Sequence, residues 1–151
     1  FKPFNDVYGY RRGDDIIQLT ARVIAMHCDP NRDFVGHIGG DDFIVLFQSG
    51  DWETRCRAIL DEFHRVSAAC FSAADRERGG FVSEDRRGNT VLHPLASLSI
   101  GAVRVEPGQY LSHHQIATAA ADAKKEAKKI SGDSLFIERR HAGLAPLSRN
   151  E

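Results

Sequence analysis

The sequence predicts a mixed α/β domain of the α+β kind, with helices packed on a sheet. Three observations predict it. Ile16, Leu19, Val23 and Met26 fall on one face of a helical pattern, with Ile17 and Ile24 beside it. Two apolar runs, Phe34 to Ile38 and Phe43 to Phe47, flank Gly39-Gly40-Asp41-Asp42 and read as a β-hairpin. Beyond them, strand and helix patterns alternate irregularly, with a further hairpin, around what is expected to be one sheet.

The elements follow in order. Phe1 to Phe4 reads as the tail of a segment that begins upstream. Asp14 is a candidate N-cap for the first helix, and Asp29-Pro30-Asn31 ends it by turn chemistry. Trp52, Cys56, Ile59, Leu60, Phe63, Val66 and Cys70 keep helical spacing. Residues 72–80 are polar and glycine-rich and read as a loop. Phe81 to Glu84 and Thr90 to Leu92 are expected to pair around residues 85–89. Leu98 to Val105 reads as a buried strand. Ser112 and Gln115 form a capping box for a helix running to about Ile130. Ser131-Gly132-Asp133 stops it, and Leu135 to Ile137 is a last short strand. The domain is expected over 1–141, with 142–151 as a tail or linker.

Composition narrows the class. A formal net charge of -1 leaves no overall field to draw the chain to nucleic acid or anionic lipid. No apolar run approaches the roughly 20 residues that span a bilayer. Neither nucleic-acid binding nor membrane contact is expected. The three cysteines form no CxxC pair, and Cys56 and Cys70 fall on the apolar side of a helix. A reducing, cytoplasmic compartment fits that usage. Arg12-Gly13-Asp14 is a chance tripeptide, and the adjacent His113 and His114 point apart on a helix.

The turn at 39–42 carries the chemistry. Glycines at Gly39 and Gly40 let the backbone approach a ligand without a Cβ in the way. Asp41 and Asp42 supply two hard oxygen donors on the same turn. Mg²⁺ commonly pairs one or two protein carboxylates with substrate phosphates. A solvated hairpin turn is the bland reading of the same four residues.

The context favours the first reading. Phe1-Lys2-x-x-Asn5-Asp6-x-x-Gly9-x-x-x-Gly13-Asp14, a helix, and then Gly-Gly-Asp-Asp-Phe resembles the GGDEF family of diguanylate cyclases. Ser99-Ile100-Gly101 is similar to the family's S-I-G strand. Ala121-Asp122 to Lys129, followed by Ser131-Gly132, is similar to its closing helix. The resemblance runs from residue 1 to about 140.

That resemblance implies a palm-like fold with a mainly antiparallel sheet between helices. It implies Mg²⁺ or Mn²⁺ as cofactor, GTP as substrate and a homodimer in which two GTP condense to cyclic di-GMP. It also implies fused sensory or EAL domains. Asp41 takes the position of the metal-binding acid. Asp42 takes that of a glutamate serving metal binding or proton removal. Gly39, Gly40 and Lys129 take phosphate-contacting positions, and Asn5 and Asp14 the guanine-reading ones. The alternative is a degenerate domain that binds GTP and regulates an attached phosphodiesterase.

The chain departs from the family pattern in several places. A further metal-binding aspartate would lie on a first strand preceding Phe1, so that strand is expected to be missing. Asp42 replaces the glutamate, and His37 stands where an arginine is usual. Lys124 and Lys125 replace an alanine and an apolar residue, and Asp133 replaces a frequent arginine. The family's product-inhibition motif, R-x-x-D, ends six residues before the first motif glycine. Pro30 replaces its arginine here while Asp33 matches its aspartate, so product inhibition at this site is expected to be absent.

Overall fold

The computed structural model describes residues 1–139. They form two compact units, Phe1–Leu98 and a second that starts at Ser99. The expected tail at 142–151 lies outside the described residues.

The first unit opens with a helix the sequence reading did not anticipate. α1 spans Lys2–Tyr8 with proline in its first turn, where the missing N–H is an orphan in any case. Gly9, at φ 84, makes the elbow into α2, Tyr10–Met26. Asp14 is therefore not an N-cap. It lies inside α2, which begins four residues earlier because α1 delivers the chain there. Phe4 from α1 and Ile16 from α2 are buried with Phe71 and Phe81. The Phe4 ring meets those of Phe71 and Phe81 edge-on at 5.4 Å and 6.0 Å, the arrangement that ring quadrupoles favour.

Farther along α2, Val23 and Ile24 are buried, and the helix packs against α3, Trp52–Ser67. α3 contributes Cys56, Ile59, Leu60 and Phe63 to the interior. Its helical run continues as a short 3₁₀ turn, Ala68–Cys70. The three cysteines are free thiols. Burial pushes the Cys56 thiol up to about 11, which fits an inert core residue.

Residues 72–80 are not a plain loop. α4, Ala73–Arg78, is capped by the Ser72 side chain and ends at Gly79 in the left-handed conformation. It buries none of its residues, so no apolar period marked it. Tyr8 donates a hydrogen bond to Asp75 and accepts one from Ser72 N–H, tying α4 to α1.

Two hairpins complete this unit. β1, Phe34–Gly39, pairs antiparallel with β2, Asp42–Leu46. β3, Gly80–Glu84, pairs antiparallel with β4, Thr90–Pro94, as expected. Asp85 closes the second hairpin by accepting from the Arg87 and Asn89 N–H groups.

The second unit is a strand–helix–strand unit. β5, Ser99–Val103, lies parallel to β6, Ser134–Glu138. α5, His113–Lys128, forms the crossover that parallel pairing needs. Ser112 caps α5 through Gln115 N–H, while Gln115 Oε1 accepts from Leu111 N–H at 2.8 Å. Ala123 and Ala127 are fully buried, and α5 packs on β5.

The fold is thus mixed α/β with flanking helices, and among the described residues two of three ladders are antiparallel. Among the described residues the strands form three two-stranded sheets rather than the one continuous sheet expected. The hairpin signals were local and held. Which ladders join is settled by pairing between distant strands, which no local signal carries.

Candidate active site

The β1–β2 turn is built by its glycines. Gly39 and Gly40 have φ of 147 and 54, and only glycine adopts this pair without strain. A bulge between His37 and Gly39 brings Gly39 opposite Asp42. Open space surrounds the Cβ positions of both glycines, so the backbone there is accessible to a ligand. Asp41 is exposed at the tip, and Asp42 is half-buried at the start of β2.

His37 braces this turn. Its Nε2 is 2.8 Å from the Gly40 carbonyl oxygen, and its ring stacks on Phe43 with centroids 4.8 Å apart. At a position where the family usually has arginine, the imidazole is engaged within the turn.

Asp33 holds the open end of the same hairpin. It accepts from Asp29 N–H at 2.8 Å, Gln48 N–H at 2.9 Å and Ser49 N–H at 3.1 Å. The Ser49 hydroxyl also reaches both its oxygens, at 3.0 Å and 2.9 Å. Desolvation alone would raise its pKa, but these hydrogen bonds outweigh it and hold the carboxyl down to about 2. Its lone pairs therefore serve the fold.

Asn5 lies on α1 and Asp14 on α2, on either side of the Gly9 elbow. Asn5 is half-buried and Asp14 is exposed. Asn5 Oδ1 is buried and finds no hydrogen-bond donor among the described residues. It lies over buried Gly13, the residue just before Asp14. An amide and a carboxylate have donors and acceptors of the kind a base edge offers.

Lys129 belongs to the second unit, where it caps the C-terminus of α5. Its ammonium is paired with Glu126 at 2.6 Å on the surface. An exposed pair of this kind contributes little to stability and leaves the charge available for exchange.

The residues of this turn that could hold a metal are Asp41 and Asp42. Among the described residues no cluster of three or more His, Cys, Asp or Glu side chains is placed to hold an ion. Two adjacent carboxylates suit a hard divalent cation that completes its shell with phosphate oxygens and water. Among the described residues no helix is long and apolar enough to cross a membrane.

Two features escaped the sequence reading: the His37 brace and the contact of Gly13 with Asn5. A glycine inside a helical pattern was the available signal for the second, hidden because the helix was expected to begin there.

Comparisons with known proteins point to one family. The family described as diguanylate cyclase, GGDEF domain, matches residues 1–78. A probable diguanylate cyclase of Escherichia coli, DgcT, is 26% identical over 137 residues, covering 91% of this chain and 27% of that protein. Diguanylate cyclase A of Treponema denticola is 37% identical over 49 residues, covering 32% of this chain and 13% of that protein. The signaling protein YkoW of Bacillus subtilis is 29% identical over 70 residues, 43% of this chain and 9% of that protein. The chain thus spans 9%, 13% and 27% of the lengths of these relatives. A solved structure of the GGDEF domain of TpbB (YfiN) from Pseudomonas aeruginosa shares the fold, with a TM-score of 0.54 at 24% identity. That match covers 89% of this chain and 70% of the other. With more than half of its residues matched by the family, the chain belongs to the GGDEF domain family.

Proposed function

We propose that this chain is the catalytic domain of a diguanylate cyclase, which condenses two GTP into cyclic di-GMP and two pyrophosphates. The observation that carries the reading is the β1–β2 turn. It joins two Cβ-free, ligand-accessible residues to two carboxylates. The open backbone at Gly39 and Gly40 receives the triphosphate. Asp41 and Asp42 hold Mg²⁺ or Mn²⁺, a choice that follows from their hard oxygen donors. Such an ion, when bound, neutralises phosphate charge and acidifies the attacking hydroxyl.

Asn5 and Asp14 read the guanine edge, and Lys129 takes the family's phosphate-contacting position. Two copies face each other with one GTP apiece. Each 3′-hydroxyl attacks the α-phosphorus of the other nucleotide and loses its proton. The bond from that phosphorus to the bridging oxygen breaks, and pyrophosphate leaves. Orientation of the two nucleotides supplies much of the acceleration. The domain acts in the cytoplasm, where GTP is abundant, within a larger protein bearing sensory or EAL domains.

Asp42 is one methylene shorter than the glutamate usual at its position. A displacement of that size, about 1 Å, costs up to roughly 10²-fold in rate. Steady-state pyrophosphate release from GTP by the full-length protein tests the reading. Weak turnover is expected, raised by Asp42→Glu and abolished by Asp41→Asn. Unchanged turnover in Asp41→Asn would remove that residue from the site. No turnover in either the parent or Asp42→Glu, with GTP still bound, would make the domain a regulatory module.

A further inference from the structure

Gly13 sits inside α2 and is buried, at a helix-interior position where glycine is among the poorest formers. The reason for it is a single neighbour. A Cβ built on Gly13 would overlap Asn5 Oδ1 outright and would lie 3.0 Å from Asn5 Cγ and 3.4 Å from Nδ2. All three nearest atoms belong to the Asn5 side chain, and none to the α1 backbone. The nearest obstacle to a Cβ at this position is therefore the Asn5 carboxamide.

That carboxamide gains no hydrogen bond from its placement. Oδ1 is buried over Gly13 and without a donor, an arrangement that costs stability. It does hold the carboxamide in one place, over the Gly13 backbone.

We infer that Gly13 is a positioning residue for base recognition, its missing Cβ making the slot that holds the Asn5 carboxamide in place to meet the base. Exposed Asp14, next in the chain, supplies the complementary acceptor. The inference rests on the reading of Asn5 and Asp14 as the guanine-contacting pair.

The test is a double-mutant cycle in the full-length protein, using Gly13→Ala, Asn5→Ala and the two combined. The first readout is the preference for GTP over ATP by calorimetry with Mg²⁺ present. Either single substitution should lower it by about tenfold or more, because unpaired polar groups underlie such discrimination. The combination should lower it no further. Loss in Asn5→Ala but not in Gly13→Ala would overturn the positioning role. No loss in either would overturn the guanine reading itself.

The second readout is the denaturation midpoint, which needs no nucleotide. Gly13→Ala should raise it in the Asn5→Ala background, where alanine is free to favour the helix. In the parent the same change should lower it. An equal rise in both backgrounds would show that the two side-chain positions are not coupled. The combined variant keeps the cycle readable even where Gly13→Ala alone fails to fold.

Discussion

Asp33 and Ser49 are joined twice: the Asp33 carboxylate accepts from both the backbone N–H and the hydroxyl of Ser49. The two residues flank β1 and β2, so this contact closes the hairpin at the end opposite its turn. The same carboxylate matches the acid of the family's product-inhibition motif, and here its oxygens are occupied within the chain.

The depressed pKa gives this contact a pH signature. Asp33 titrates near 2 when folded against an ordinary value of 3.8. Its contribution is therefore complete above about pH 4 and fades as pH falls toward 2. Denaturation midpoints measured from pH 5 to pH 2 should fall more steeply in the parent than in Asp33→Asn. Parallel profiles would mean that the carboxylate charge does not hold the hairpin.

A related expectation concerns feedback. Cyclic di-GMP should not bind tightly at Asp33, since Pro30 offers no donor where an arginine would clamp a phosphate. Calorimetric binding in the micromolar range that Asp33→Ala abolishes would contradict this.

Gly40 tests the turn itself. At φ 54 it occupies the left-handed region, which asparagine tolerates and a β-branched residue does not. Gly40→Val should lose about 1–2 kcal/mol relative to Gly40→Asn in urea unfolding. Triphosphate affinity should fall in the same order. Equal stability of the two variants would show that the turn relaxes without cost.

Gly101 tests the second unit. A Cβ there would run into the backbone of Ala123 and Lys124 on α5, and backbone does not move aside as a flexible side chain does. Gly101→Ala should therefore destabilise by about 1–3 kcal/mol, as overpacking does. Chemical denaturation followed by circular dichroism measures it, and a neutral result would mean that α5 lifts freely from β5.

The sequence by itself determined the elements whose causes are local. The Gly39–Asp42 turn was legible because its glycines and flanking apolar runs admit few other structures. α3 was legible from its period, α5 from its capping residues, and the β3–β4 hairpin from its intervening turn. The family motifs named Asn5, Asp14, Asp41, Asp42 and Lys129 as candidates. Tertiary structure decided the rest, for physical reasons that differ. α1 was obscured because Pro3 reads as a breaker until its place in a first turn is known. α4 has no apolar stripe, and only its Ser72 cap and Gly79 stop marked it. The start of α2 depends on where α1 delivers the chain, and pairing of β5 with β6 depends on α5 returning it 35 residues later, from Ser99 to Ser134. The Gly13–Asn5 contact lies across a helix elbow, so no spacing rule within a single helix revealed it.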